Sequence, residues 1–170
     1  MRHRRGRRST RPRLISLVGE SGSGKTTLIT KLIKELNRRG LRVGAVKHSR
    51  SCFTIDPDGK DSARFRKAGA QTVLLLSPTS LGLVSDRRKN FSPEDAAAHF
   101  FKGLDIVLVE GWKESPLPKI IVSGANTPPR AVKNVVAEIG KRGTIPNVPL
   151  FSPNDIAALA DFIVSLNHPS

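Results

Sequence analysis

The sequence predicts an α/β layered fold with a mainly parallel sheet, on three observations. Short continuous apolar runs recur along the chain, as in strands buried on both faces. Helical segments with apolar stripes or capping residues separate those runs. The first run, Leu14 to Val18, empties into a glycine-rich turn that opens a helix.

Each element has its own reason. After the turn, Leu28, Ile29, Leu32, Ile33 and Leu36 recur at helical spacing among polar residues, and Arg38-Arg39-Gly40 supplies a basic last turn and a C′ glycine. The first helix is therefore expected over Lys25–Arg39. Arg42–Lys47 reads as a second strand and Asp61–Ala70 as a polar helix. Thr72–Leu76 and Leu81–Val84 read as strands parted by Ser77-Pro78-Thr79-Ser80. Ser92-Pro93 starts a helix as N-cap and N1, leading to Gly103 and a strongly apolar strand, Leu104–Val109. Lys119–Val122 and Val135–Ala137 are further strands. Ser152 to Asp155 cap a closing helix with Ile156, Leu159, Ala160, Ile163 and Leu166 on one stripe.

The chain has 170 residues, 38% of them hydrophobic, enough for one compact domain. No stretch approaches the roughly 20 apolar residues that cross a bilayer, and Cys52 is the sole cysteine. A disulfide framework and a cysteine zinc site are thereby excluded, and a reducing cytoplasm fits. The net charge is +15, but Arg2, Arg4, Arg5, Arg7, Arg8, Arg11 and Arg13 crowd the start, and without these seven the net charge is +8. Residues 1–13 are expected to form a disordered basic arm, and residues 14–170 a domain whose basic surface suits phosphates or an acidic protein.

The chemistry centres on Gly19-Glu-Ser-Gly-Ser-Gly-Lys-Thr26, which satisfies G-x-x-x-x-G-K-[ST] in full between a strand and a helix. This predicts a P-loop NTPase-type fold. Gly22, Ser23, Gly24, Lys25, Thr26 and Thr27 are the expected phosphate ligands. Glycine backbones converge N–H groups on oxygens, Lys25 reaches the β- and γ-phosphates, and Thr27 meets the α-phosphate. The Thr26 hydroxyl is expected to hold magnesium, with Glu110, at the end of the Ile106–Val109 run, acting beside it through water. Asp105 lies at the other end of that run, where a capping role fits better, and Asp86 has no comparable placement. Asp56 to Ser62 reads equally as a switch loop or as a polar connection in which Asp61 caps a helix. His48 and Trp112 are expected to be structural or packing residues. No catalytic residue stands out.

With these residues in hand, the chain resembles the molybdopterin-guanine dinucleotide biosynthesis protein B (MobB) family. The matching blocks are the phosphate loop; Val46-Lys-His48; Asp58 to Ser62 with Lys67 to Ala70; Leu108-Val-Glu-Gly-Trp-Lys113 with Pro118-Lys-Ile120; and Val148 to Leu150 with Asn154-Asp155 and Ala160 to Ile163. The resemblance implies a homodimer, GTP with Mg²⁺ and at most weak GTP hydrolysis. It also implies an adaptor role beside the guanylyltransferase that attaches GMP to molybdopterin. One departure bears on the base: the family usually shows Ser-Asp or Thr-Asp after the strand matched by Asn134–Ile139, where this chain reads Glu138-Ile-Gly-Lys141. GTP and ATP both stay open on that ground.

Two rival functions share features with this reading. A small-molecule kinase using ATP would use the same cradle, but the sequence shows no arginine-studded lid between two helices. A nucleic-acid module would use the basic arm, but no aromatic residues interleave with the basic ones and there is no tyrosine.

Overall fold

The computed structural model describes residues 11–49, 60–86, 91–123 and 132–166. It divides into two compact units, Met1–His48 with Ser92–Ser170, and Ser49–Phe91. The elements in chain order are β1 (Arg13–Val18), α1 (Lys25–Arg38), β2 (Val43–Lys47), α2 (Asp61–Lys67), β3 (Thr72–Leu76), β4 (Leu81–Ser85), α3 (Pro93–Phe100), β5 (Ile106–Glu110), β6 (Lys119–Val122), β7 (Val135–Ile139), β8 (Leu150–Phe151) and α4 (Ile156–Ser165).

In the larger unit six strands form one parallel sheet in the order β2-β5-β1-β6-β7-β8. All its C-terminal strand ends share one edge, the edge at which α/β sheets bind ligands. Side chains alternate across each strand, so Ile15 and Leu17 face one layer while Leu14 faces the other. The first layer is the main core, where Leu28, Leu32 and Leu36 of α1 and Leu159 and Ile163 of α4 meet Leu108, Ile120 and Ile139. Each such side chain, fully buried, stabilises the fold by roughly 1.5–3 kcal/mol. On the other face α3 packs against β1, and Val107, Val109 and Leu117 join Phe101 and Trp112.

The helix ends follow local chemistry. Ser92 and Asp95 form a reciprocal capping box on α3, and Asp155 caps α4 through the Ala158 N–H at 3.1 Å. The α1 helix ends before Gly40, whose φ of 78° supplies the left-handed turn.

Several boundaries differ from expectation. Arg13, read as the last arm residue, is the first residue of β1. Its guanidinium donates to the carbonyls of Ile163 and Val164 at 2.8 and 2.7 Å, partnering two carbonyls in the C-terminal turn of α4. Arg2, Arg4, Arg5, Arg7 and Arg8 lie outside the described residues. The fifth strand begins at Ile106 rather than Leu104 and extends to Glu110. The two-residue β8 was not foreseen, being too short for periodicity to register.

The smaller unit contains α2 and the antiparallel β3–β4 hairpin, with Leu74 opposite Leu83 and Leu76 opposite Leu81. Asp86 accepts from Arg66 at the base of this hairpin. The α2 helix stops at Lys67 because Gly69, at φ +104°, breaks the helical backbone.

Candidate nucleotide-binding site

The glycine-rich loop lies at the C-terminal end of β1, the third strand of six. Gly22 and Gly24 have φ of 77° and 87°, conformations that L side chains rarely adopt. Gly19 is required for a different reason: a Cβ there would run into the Val122 carbonyl oxygen and lie 2.8 Å from the Ser23 Oγ. The loop thus closes against the end of β6 with no room for a side chain. Gly24 caps α1 without a side-chain hydrogen bond, and no acidic residue sits in its first turn. The positive end of the helix dipole therefore faces the loop, as an anion requires.

Lys25 leads α1, and its ammonium donates to the Glu20 carbonyl and, at 3.3 Å, to the Ser23 hydroxyl. Burial lowers its pKa; the Glu110 carboxylate opposes that shift, while the Lys113 and Lys47 cations reinforce it. Lys25, with two further lysines and one carboxylate acting on it, makes a locally positive site, suited to a polyphosphate.

Glu110, the last residue of β5, meets α1 across the sheet edge. The Thr26 hydroxyl lies 3.0 Å from its Oε1 and 2.9 Å from its Oε2, and the Lys47 Nζ is 3.9 Å from Oε1. The turn after Glu110 is fixed to β1 twice: the Gly111 N–H donates to the Leu17 carbonyl at 2.9 Å, and the Ser16 hydroxyl donates to the Gly111 carbonyl. Gly111 and Trp112 both have positive φ, 88° and 63°, an uncommon conformation for a residue as bulky as tryptophan. Trp112 stacks on His48 with centroids 4.6 Å apart and planes at 13°, and the His48 N–H donates to the Glu110 carbonyl at 2.9 Å. Both aromatics therefore brace the strand ends that present Glu110.

These donors suit a magnesium ion held together with nucleotide phosphates. Among the described residues no three His, Cys, Asp or Glu side chains cluster, whereas one hydroxyl, one carboxylate and substrate phosphates match magnesium's preference. Bound there, the ion would neutralise charge on the β- and γ-phosphates.

The structure thus brings together Gly22, Ser23, Gly24, Lys25, Thr26, Thr27 and Glu110 on one sheet edge. Asp105 stays apart, accepting from the Arg42 N–H at 2.7 Å at the opposite end of β5. Asp61 and Ser62 open α2 in the smaller unit with Lys60 as N-cap, and residues 56–59 lie outside the described residues. Ser16 escaped the sequence reading, and Glu138 entered it only as part of a departure on the base side, without its buried role. Each is a buried polar residue inside an otherwise apolar strand, and that interruption was the available signal.

A family model for molybdopterin guanine dinucleotide synthesis protein B matches residues 14–140 of this chain. The chain belongs to the MobB family. A molybdopterin-guanine dinucleotide biosynthesis adapter protein of Escherichia coli is 34% identical over 162 residues, covering 89% of this chain and 91% of the relative. One from Haemophilus influenzae is 43% identical over 110 residues, a match spanning 64% of this chain and 62% of the relative. Solved structures agree. A crystal structure of molybdopterin-guanine biosynthesis protein B superposes with TM-score 0.71 at 27% identity, over 89% of this chain and 97% of that one. Bacillus subtilis MobB superposes with TM-score 0.72 at 25% identity, over 92% and 99%. The P-loop NTPase-type fold is thus the MobB fold.

Proposed function

We propose that this MobB-family protein is a GTP-binding adapter in molybdopterin guanine dinucleotide biosynthesis, acting beside the guanylyltransferase that attaches GMP to molybdopterin. The observation that carries the nucleotide half of this reading is the meeting of Thr26 and Glu110 beside a complete phosphate loop. The pathway half rests on family membership and on the adapter relatives. Gly22 to Thr27 hold the phosphates, Thr26 and Glu110 serve magnesium, and hydrolysis is weak at most.

The homodimer belongs to the same proposal. On one face of the hairpin unit Leu74, Leu76 and Leu81 are 51%, 72% and 66% exposed, an apolar stripe that a second copy would cover. No helix among the described residues is long and apolar enough to cross a membrane, and we place the protein in the cytoplasm.

The test titrates the full chain with fluorescent GTP and ATP analogues, with and without Mg²⁺, against Lys25→Ala. Magnesium-dependent GTP binding lost in the variant supports the reading; binding that survives the substitution removes its nucleotide half. Unchanged molybdoenzyme activity in a deletion strain would remove the adapter half.

A further inference from the structure

We propose that Glu138 is a positioning residue that sets the nucleoside side of the site without touching the ligand; the inference rests on the nucleotide-binding reading above. The direction in which a nucleotide lies follows from the sheet order. Glu110 marks the metal and terminal-phosphate end over β5, on one flank of β1. β6 and β7 lie on the other flank, so a triphosphate running along the loop away from Glu110 directs its nucleoside toward their C-terminal ends.

At that place a fully buried carboxylate ties two strand-end loops together. Oε1 of Glu138 accepts from the Ser123 hydroxyl at 2.7 Å and the Thr144 hydroxyl at 2.6 Å. Oε2 accepts from the N–H groups of Thr144 and Ile145 at 2.8 and 3.1 Å. Ser123 follows β6 immediately after Val122, whose carbonyl packs on Gly19 of the phosphate loop, while Thr144 and Ile145 lie in the loop after β7. One buried anion with four donors therefore fixes the β7–β8 loop relative to β6 and the cradle. With 0% exposure it cannot reach the ligand. Its effect passes through the loops it holds.

The experiment measures binding by calorimetry for the full chain, using Mg·GTP, Mg·ATP and Mg·tripolyphosphate, the last having phosphates but no nucleoside. Glu138→Ala orphans four donors, so it should weaken the preferred nucleotide about tenfold or more and leave tripolyphosphate within about twofold. Glu138→Gln should restore most of the loss, because its amide oxygen can accept both N–H groups while the two hydroxyls rotate to accept from its NH₂. If Glu138→Ala does not fold, Thr144→Val, which deletes one of the four bonds, should give a smaller loss again confined to the nucleotides. Equal weakening of nucleotide and tripolyphosphate, or no weakening of either, overturns the inference. A wild-type chain that binds none of the three ligands would instead refute the nucleotide reading on which it rests.

Discussion

The Thr26 hydroxyl sits within 3.0 Å of both carboxylate oxygens of Glu110, although 84 residues separate the two in sequence. The contact joins the first turn of α1 to the end of β5, and it places the two magnesium candidates in one hydrogen-bonded unit. Removing either partner also disturbs the other. We expect Thr26→Ala and Glu110→Gln each to lower the affinity for magnesium in the nucleotide complex by roughly 10- to 100-fold. The double variant should be little worse than the stronger single one, as for residues acting together. Magnesium titrations of the nucleotide-bound protein check this; fully additive losses would show that the two side chains serve independently.

Gly19 offers a steric test of the cradle. An alanine methyl would meet the Val122 carbonyl, a backbone atom that cannot swing aside as a long side chain would. Gly19→Ala should therefore destabilise the protein by about 1–3 kcal/mol, the usual range for overpacking, and weaken nucleotide binding in parallel. Gly22→Ala, at positive φ but with open space around its Cβ position, should cost about 1–2 kcal/mol through backbone strain alone. Urea unfolding of the two variants measures both.

The sequence made the larger unit legible because its signals are local. The phosphate loop is contiguous, so Gly19 to Thr26 could be read directly, and the Ile106–Val109 run pointed to Glu110 because a buried strand must end at the sheet edge. What it did not show depends on distant partners. Nothing near Ser16 predicts that its hydroxyl bonds to Gly111, and nothing near Glu138 predicts donors from Ser123 and Thr144. The hairpin strands were visible, yet their membership of a separate unit was not, since apolar runs reveal strands without saying which sheet they join.

That hairpin yields a third prediction. Leu76 and Leu81 face each other across β3 and β4 on the exposed apolar side. Replacing both with glutamate puts like charges opposite each other on a face that a second copy would bury, and an unpaired buried charge costs several kcal/mol. If the proposed homodimer forms through this face, Leu76→Glu combined with Leu81→Glu should give a monomer in sedimentation velocity while leaving the larger unit's nucleotide binding measurable. A variant still dimeric would place the dimer contact on another surface.

Glu138 also sets a pH dependence. Burial pushes its carboxyl up, but hydrogen bonds from the Thr144 and Ser123 hydroxyls and the Thr144 and Ile145 N–H groups outweigh burial and hold its pKa below the ordinary 4.5. An acid with a depressed folded-state pKa binds fewer protons in the folded chain than in the unfolded one. Its stabilisation is therefore fully present above 4.5 and is lost as the pH falls through the lower folded value. Glu138→Gln cannot ionise and lacks this contribution at every pH. The wild type should thus exceed the variant in urea midpoint near neutrality, and the gap should shrink as the pH is taken from about 6 to about 3. Other carboxylates acidify equally in both proteins and cancel in the difference. A gap that stayed constant would mean that the folded carboxyl titrates like the unfolded one, and a gap that widened in acid would mean that Glu138 is held as a neutral acid.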